Sequence, residues 1–230
     1  MIAQEIWNQP LFGVAATLIA YRLATRLQNR VPWIPAVLSA SVVLILLLLA
    51  LDVPYSSYKV GGDWITFLLG PATVALGVPL YKNTHRIKQH LGAILTGLTL
   101  GSVCSIVSAA AFVWLLGGTE DILLSILPKS ATSPVSIELV RKLGGIPELG
   151  ASMTVLAGLM GNVIGPEFLK WCGVKEDTPI GVAIGTLSHG IGTSRLIARS
   201  QVQGGISGFA MAVNCIVTSL IIAPIMLWLK

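Results

Sequence analysis

Long apolar stretches separated by short polar ones run along the whole chain. Most approach the ~20 residues that a helix needs to cross a hydrocarbon core, so the pattern predicts an all-α polytopic membrane protein with about eight transmembrane segments. The predicted segments cover residues 7–21, 33–51, 64–81, 91–116, 121–140, 149–169, 179–199 and 206–229. The composition agrees, because 54% of the residues are hydrophobic and 11% are charged, whereas a soluble domain carries about 25% charged residues.

Two of these segments are broken at predicted mid-membrane depth. The fifth contains P-K-S-A-T-S-P, with Pro128 and Pro134, and the seventh contains G-T-L-S-H-G-I-G-T-S-R, in which Gly190 and Gly192 allow a break. Proline removes a backbone donor and clashes with the preceding turn. Polar, broken backbone is tolerated at that depth only where protein buries it or water fills a cavity. The regions 121–143 and 179–199 are therefore predicted to form the functional centre, and Pro71 marks a similar interruption in the third segment.

The first break has the chemistry of a small-anion site. Ser133 followed by Pro134 is typical of an N-cap and first helical position, so one half-helix is expected to end near Leu127 and another to begin at Pro134. Free N–H groups and the helix dipole then favour an anion there, and Lys129 adds a full charge. The hydroxyl donors of this site are Ser130, Thr132 and Ser133. A second interpretation places Lys129 in a shallow re-entrant loop, from which its amine reaches the interface.

The second break surrounds a histidine with small and hydroxyl residues. Its candidate binding residues are Thr186, Ser188, His189, Gly190 and Thr193. A histidine side chain can titrate near neutral pH, so His189 suits proton coupling or a carboxylate contact, and the alternative is a hydrogen-bonded structural histidine. Asn162 either makes an interhelical hydrogen bond or belongs to the binding site. Arg195 is either a topology anchor or a side chain that reaches the cavity.

The basic residues give an expected orientation. The net charge is +5, and ten of the fifteen Lys and Arg residues fall at alternate segment ends, which is the pattern of cytoplasmic loops. These ten are Arg22, Arg26, Arg30, Lys82, Arg86, Lys88, Arg141, Lys142, Arg195 and Arg199. The rule predicts that both termini lie outside, with most acidic residues, including Asp121 and Asp177, on the outer side. This asymmetry explains the basicity without a nucleic-acid partner.

The remaining features assign supporting roles. The chain is predicted to be one integral membrane domain, with scaffold helices in 1–62 and a transport-like core in 63–230. Gly97, Gly101 and Ser105 are interpreted as helix-packing residues, because small residues let membrane helices approach closely. Asp63, Asp121 and Asp177 each open an interrupted segment, which indicates either a repeated unit or only similar composition. We expect no metal, no cofactor and no enzymatic activity, since neither ligand spacing nor a nucleophile–base set is present.

At these motifs the sequence resembles the LrgB/CidB family of bacterial membrane proteins, which includes a plastid glycolate/glycerate transporter. The resemblance rests on 128–134, on G-G-I-P at 144–147, on 185–195 and on P-A-T-V-A-L-G-V-P-L-Y at 71–81. The family pattern has Ala at the position of Leu187, and Val-Thr-Thr-Pro where this chain has Ala-Thr-Ser-Pro at 131–134, so the hydroxyl before proline is kept. The resemblance implies a multi-pass protein of the bacterial inner membrane that moves small carboxylates, or holin/antiholin-like control of murein hydrolases beside a small LrgA/CidA-type partner.

Two hypotheses from different classes follow. The first is a secondary transporter for a small monocarboxylate such as glycolate, glycerate, lactate or pyruvate, with His189 as the proton-linked group. The second is a pore-forming or regulatory component of cell lysis, expected to form an oligomeric pathway of low selectivity. Transport ranks first because the two midplane motifs carry more chemistry than a lytic pore requires.

Overall fold

The computed structural model describes residues 7–31, 34–75 and 77–228, and the chain divides into two compact units, Met1–Ala75 and Leu76–Lys230. Each regular element in the described ranges is an α-helix. In chain order these are α1 Pro10–Arg30, α2 Ala36–Ala50, α3 Tyr55–Phe67, α4 Leu69–Ala75, α5 Gly77–Lys82, α6 Thr84–Gln89, α7 Leu91–Leu115, α8 Glu120–Ile126, α9 Ser133–Leu143, α10 Pro147–Trp171, α11 Asp177–Arg199 and α12 Gln201–Trp228. Trp33 and Leu229, at which two of the predicted segments begin and end, lie outside the described residues, as do both chain termini.

Four helical stretches are long and apolar enough to cross a membrane. They are Tyr55–Lys82, Leu91–Leu115, Pro147–Trp171 and Gln201–Leu227. An all-helical, multi-pass membrane protein is thereby supported. The count of about eight segments stays a prediction, as does the functional division at residue 62.

The first unit is held by close helix contacts between α1, α2 and α3. The backbones of Gly13 and Gly61 meet so closely that a Cβ built on Gly13 would lie 2.8 Å from the Cα of Gly61. Beside this contact Thr17 Oγ1 lies 2.9 Å from the Tyr58 hydroxyl. Helix α4 begins two residues before Pro71, so the helix is interrupted at Leu68, and this proline occupies a first-turn position that helices tolerate.

The second unit contains three long helices, α7, α10 and α12, and its two ends can be identified from contacts. At the Asp177 end, Gln203 donates to Asp177 at 2.9 Å, and Arg86 lies 3.8 Å from the same carboxylate. At the Asp121 end, Ser125 Oγ donates to the Asp121 carbonyl at 2.5 Å. The Ile146 amide donates to Ser125 Oγ at 2.7 Å. The Asp177 end and the Asp121 end are the opposite ends of the second unit.

The fifth predicted segment turns back on itself. Helix α8 ends at Ile126 and α9 begins at Ser133, within one residue of the predicted break. The chain beyond α9 returns alongside the last turn of α8, where a Cβ on Gly145 would meet the Ser125 amide nitrogen at 2.9 Å. Gly144, with φ of +85°, ends α9 in the left-handed conformation that glycine adopts freely. Residues 120–143 therefore form a helical hairpin, the first hairpin, based at the Asp121 end.

The seventh predicted segment is a second hairpin from the opposite end. Its outgoing arm runs alongside α7, since Cβ atoms built on Gly97 and Gly101 would lie 4.0 Å from Val182 and 3.8 Å from Thr186. The chain turns at His189 and returns along α12 toward the Asp177 end. A Cβ on Gly204 would meet the Cα of Ile197 at 2.7 Å. Both ends of Asp177–Arg199 therefore lie at the Asp177 end.

Two apolar clusters pack the ends of the second unit. One, at the Asp177 end, is formed by Ile87, Ile94, Leu98, Ile206 and Ala210. The other, at the Asp121 end, is formed by Ile106, Leu124, Leu127, Leu139, Leu143 and Ile222. The buried residues between them on α7 and α12 are polar, so the clusters enclose a polar layer where the two hairpins meet.

The hairpins correct the orientation expected from the charge pattern. Arg141 and Lys142 were expected on the side of Lys82, Arg86 and Lys88, but α9 returns to the Asp121 end. Asp177 was expected opposite Arg86, and instead the two side chains face each other. The predicted alternation of sides assumed that every segment crosses the membrane. A segment that turns back instead has both of its ends on one side, so the residues at its second end lie on the side opposite to the predicted one. Glu138 and Arg141 form an exposed ion pair on α9.

Labelling of single cysteines from either side of the membrane tests the hairpins. The background replaces Cys104, Cys172 and Cys215 by Ser, and single cysteines replace Lys88, Thr119, Lys142 or Gln201. We expect Thr119→Cys and Lys142→Cys to react with an impermeant maleimide from one side, and Lys88→Cys and Gln201→Cys from the other. Labelling of Lys142→Cys from the same side as Lys88→Cys would show that the fifth segment crosses.

Candidate functional site

The tips of the two hairpins are joined by one buried amide. Asn214, at the middle of α12, is fully buried, and its Nδ2 donates to the Ser130 carbonyl in the first hairpin. The same Nδ2 lies 3.4 Å from the Thr186 carbonyl in the second hairpin. Its Oδ1 accepts from Ser102 Oγ of α7 at 2.5 Å. One side chain therefore satisfies backbone groups that both breaks leave free, as buried polar groups require.

The first tip holds a half-buried ammonium group. Lys129 lies in the turn between α8 and α9, and its Nζ donates to Ser105 Oγ of α7 at 2.7 Å. The ion pairs that form among the described residues do not include Lys129. A cation removed from water without a counter-charge is unfavourable, so this position favours an anion.

The start of α9 differs from the prediction by one residue. The N-cap is Thr132, Ser133 is the first helical residue and Pro134 is the second. The cap makes no side-chain bond to the helix. Instead the Thr132 amide lies 3.4 Å from Cys215 Sγ, and that thiol lies 3.5 Å from Thr132 Oγ1. The helix N-terminus is thus bonded to α12, because the tip packs against that helix.

The second tip turns at His189 and not at the predicted Gly190 and Gly192. His189 has φ of +48° and ψ of −137°, a region that costs a non-glycine residue of order 1–3 kcal/mol. The surrounding contacts hold it in place. Cβ atoms built on Gly158 and Gly161 would lie 3.5 Å from His189 Nδ1 and 2.5 Å from Ser188 Oγ. The imidazole faces the Ser130 backbone of the first tip.

Two cavities lie along α7, on either side of the contact between Lys129 and Ser105. The α7/α11 cavity, of about 410 Å³, is lined by Ser105, Ser130 and Thr186 at its inner end and reaches Ala93 and Thr178 near the Asp177 end. The α7/α8 cavity, of about 530 Å³, is lined by Lys129 and extends toward the Asp121 end. The Lys129–Ser105 hydrogen bond therefore lies between spaces that reach toward opposite ends of the unit.

The structure brings together some of the predicted site residues and not others. Lys129, Ser130, Thr186 and His189 meet at the tips. The other predicted residues lie around them. Thr132 and Ser133 are at the start of α9, and Ser188 is buried against α10. Gly190 is exposed, and the Thr193 hydroxyl lies 2.8 Å from Ser207 Oγ.

Asn162 and Arg195 form a separate contact. The Arg195 guanidinium donates to the Asn162 carbonyl and lies 3.5 Å from its Oδ1. Neither residue lines the α7/α11 or the α7/α8 cavity, so this pair joins the returning arm of the second hairpin to α10. The structure does not place Arg195 in the cavity at the tips.

Several buried polar atoms at this level have no hydrogen-bond partner among the described residues. They are Ser130 Oγ, Ser136 Oγ, Thr154 Oγ1, Ser188 Oγ, His189 Nε2 and Thr218 Oγ1. Buried polar groups are nearly always paired with protein or water. Three of these atoms belong to the hairpin tips, so the tips have unused hydrogen-bonding capacity.

Sequence reasoning missed Asn214 and Ser105 as site residues. Gly97, Gly101 and Ser105, interpreted as packing residues, also line the α7/α11 cavity. For Asn214 the sequence contained a signal, because residues spaced by four along α12 from Ile206 to Ile222 share one helix face and the middle ones, Asn214 and Thr218, are polar. No group of three or more His, Cys, Asp or Glu side chains that could hold a metal ion occurs in the part of the chain that the structure describes.

Substitution of Asn214 tests its role in joining the tips. Asn214→Leu removes the donor to the Ser130 and Thr186 carbonyls, while Ser102 keeps its bond to the Leu98 carbonyl, so we expect the variant to lower the free energy of unfolding by about 1–3 kcal/mol. Asn214→Asp keeps the acceptor for Ser102 but faces two carbonyls with a carboxylate, and should cost at least as much. Unfolding of purified protein measures both, with the exposed amide change Gln89→Leu as a control expected within about 0.5 kcal/mol. Stability of both variants equal to the control would contradict this role.

Comparison with known proteins shows the family of the chain. The sequence model of the LrgB-like family matches residues 17–229. Uncharacterized protein YxaC of Bacillus subtilis is 37% identical over 222 residues, covering 94% of each chain, and Uncharacterized protein YwbG of the same organism is 36% identical over 92% of this chain and 94% of its own length. Holin-like protein CidB of Staphylococcus epidermidis is 29% identical over 95% of this chain and 96% of its own length. No solved structure matches the chain. The chain belongs to the LrgB-like family of membrane proteins.

Proposed function

We propose that this protein is a secondary transporter of small monocarboxylates such as glycolate, glycerate, lactate and pyruvate. The observation that carries the proposal is the half-buried ammonium of Lys129, bonded to a neutral serine hydroxyl, at the point where two broken helices meet. A bound carboxylate would supply the missing counter-charge. Charge-assisted hydrogen bonds of this kind are among the stronger ones in proteins.

Hydrogen-bond donors near Lys129 support an anion over another ligand. Ser130 Oγ and Ser188 Oγ have no partner among the described residues, and Ser105 already contacts the ammonium group. A small carboxylate has two oxygens that accept from such donors. Substrate sites between discontinuous helices near the bilayer midplane are a recurring feature of secondary transporters.

The two cavities support a transport cycle. In the described state the α7/α11 cavity reaches from the tips toward the Asp177 end, and the α7/α8 cavity reaches from Lys129 toward the Asp121 end. A carboxylate that replaces Ser105 as the partner of Lys129 would break the hydrogen bond that lies between them. Binding from one cavity and release into the other then requires only local movement of the first tip.

A second candidate function is favoured by the relatives. Proteins that are 29% identical over most of the chain are named holin-like protein CidB, so we also consider a regulator of murein hydrolase activity and cell lysis, acting with a small holin-like membrane subunit of the LrgA/CidA type or as a homo-oligomer. Such a component would release solutes without regard to charge. Vesicles loaded with a fluorescent dye distinguish the two, because a selective carboxylate transporter retains the dye and a pore releases it.

Removal of the Lys129 charge tests the anion site. In proteoliposomes, Lys129→Met should lower the uptake efficiency of labelled pyruvate or glycolate roughly 10- to 100-fold, because one charge-assisted contact is worth about 1.5–3 kcal/mol. The same variant should be at least as stable to heat as the parent, because an uncompensated buried charge has been removed. Lys142→Met, at the exposed base of the same hairpin, is the matched control. Unchanged uptake by Lys129→Met would reject the site.

Replacement of His189 tests proton coupling. The imidazole is buried beside Lys129 and the Ser130 backbone, and a histidine that gains and loses a proton during the cycle would link transport to a pH gradient. We expect His189→Gln to retain exchange of labelled for unlabelled substrate but to lose the acceleration that a proton gradient gives the parent. An equal response of parent and variant to the gradient would remove His189 from the coupling step.

A further inference from the structure

Helix α10 contains a proline within its last two turns. Pro166 lies inside Pro147–Trp171, and it lacks the amide hydrogen that would donate to the carbonyl of Asn162, four positions earlier. That carbonyl is therefore left without its usual helical partner. Because Asn162 is buried, with 7% of its surface exposed, its carbonyl needs a donor from elsewhere in the protein.

The donor comes from the returning arm of the second hairpin, residues 190–199. The Arg195 guanidinium donates through Nη1 to the Asn162 carbonyl, and the same Nη1 lies 3.5 Å from Asn162 Oδ1. A guanidinium presents several N–H groups in a rigid fork and keeps its charge, so it suits a residue that offers two oxygens. The bond to Asn162 thus replaces the one that Pro166 removes.

This bond lies close to the second tip. On α10, Asn162 follows Gly161 directly, and a Cβ on Gly158, one turn earlier, would lie 3.4 Å from the Ser188 carbonyl and 3.5 Å from His189 Nδ1. On the returning arm, Arg195 is six residues beyond His189, which is about 9 Å along a helix. The same part of α10 therefore contacts both the tip and the arm that leaves it.

The returning arm is bonded to a different helix on each of two faces. The Thr193 hydroxyl lies 2.8 Å from Ser207 Oγ of α12, and Arg195 is bonded to α10. Residues two positions apart in a helix point in directions about 200° apart. These two contacts therefore hold the arm between α10 and α12, and Arg195 supplies the side-chain hydrogen bond on the α10 face.

We propose that Arg195 is a positioning residue of the site at the hairpin tips, because its guanidinium replaces the donor that Pro166 lacks and so fixes the returning arm against α10. His189, where this arm begins, has a backbone conformation that is unfavourable for a non-glycine residue and depends on the contacts around it. Loss of the bond would release the arm and displace Ser188 and His189. The effect on uptake rests on the proposed function, whereas the bond is tested without substrate.

A double-mutant cycle tests the bond in purified protein. Arg195→Met keeps a long apolar stem but removes every donor, so we expect it to lower the melting temperature by about 3–6 °C. In Pro166→Ala the amide of residue 166 can donate to the Asn162 carbonyl, so in that background the same change of Arg195 should have less than about half of its effect. Additive effects of the two substitutions would overturn the proposed replacement of one donor by the other.

Uptake of labelled pyruvate by proteoliposomes tests the positioning role. We expect Arg195→Met to lower the uptake efficiency roughly tenfold, the equivalent of one misplaced hydrogen bond, and Arg195→Lys, which keeps the charge and a donor, to lose less. Pro166→Ala alone should retain uptake, because a carbonyl can accept from two donors. Arg195→Met combined with Pro166→Ala should recover stability but not uptake, since the arm is still detached from α10.

Arg199→Met is the matched control, because Arg199 is exposed on the same arm one turn later and the same charge is removed. It should keep the parent's uptake within about twofold. Uptake by Arg195→Met equal to that of Arg199→Met, or restored together with stability by Pro166→Ala, would overturn the positioning role and leave the proposed function standing. Absence of uptake of every small monocarboxylate by the parent would overturn the proposed function and this role in transport together.

Discussion

The second unit depends on the bonds that the Asn214 amide makes to both hairpin tips. A helix broken inside a membrane leaves backbone carbonyls and amides that water cannot reach, and each must find a partner in the protein. Asn214 supplies a donor to carbonyls on both tips and an acceptor to Ser102. Without such a group, two hairpins entering from opposite ends would leave unpaired polar atoms at their meeting point.

The packing on either side makes that arrangement possible. Along α12 a row of buried residues spaced by four runs from Ile206 to Ile222, apolar at both ends and polar at Asn214 and Thr218. On α7 the buried stripe has Ser102 between Leu98 and Ile106. The apolar clusters exclude water from the ends of the hairpins, and the polar layer between them is left to hydrogen bonding. A half-buried lysine can persist in such a layer only with donors, acceptors or a counter-ion nearby.

Much of this could be predicted from the sequence because prolines, glycines and charges inside apolar segments violate a strong constraint. The two breaks, the short helix ending at Ile126 and the meeting of Lys129 and Ser130 with Thr186 and His189 follow from that constraint. Their return as hairpins could not be predicted, since a broken segment satisfies the hydropathy pattern equally well whether it crosses or turns back. The side assigned to Arg141 and Lys142 was wrong for the same reason.

The detailed positions depended on tertiary contacts that one sequence does not reveal. The turn at His189 and not at Gly190 reflects packing of the tip against Gly158 and Gly161, which overrides the local preference of glycine for unusual backbone conformations. Ser105 looked like a packing residue because a small residue that lines a cavity and one that contacts a helix have the same sequence pattern. Asn162 and Arg195 were polar at a suitable depth but contact each other instead.

The meeting of the two hairpin tips can be measured directly by cross-linking. In a background without native cysteines, Ser130→Cys and Thr186→Cys are introduced together and treated with a short bifunctional thiol reagent, beside a control pair of Ser130→Cys with Gln201→Cys at the Asp177 end. Cleavage between residues 143 and 177 then reports whether the fragments stay linked. We expect rapid cross-linking of the first pair and none of the control pair. Failure of the first pair to link, in protein that folds and inserts, would contradict a site shared by two broken helices.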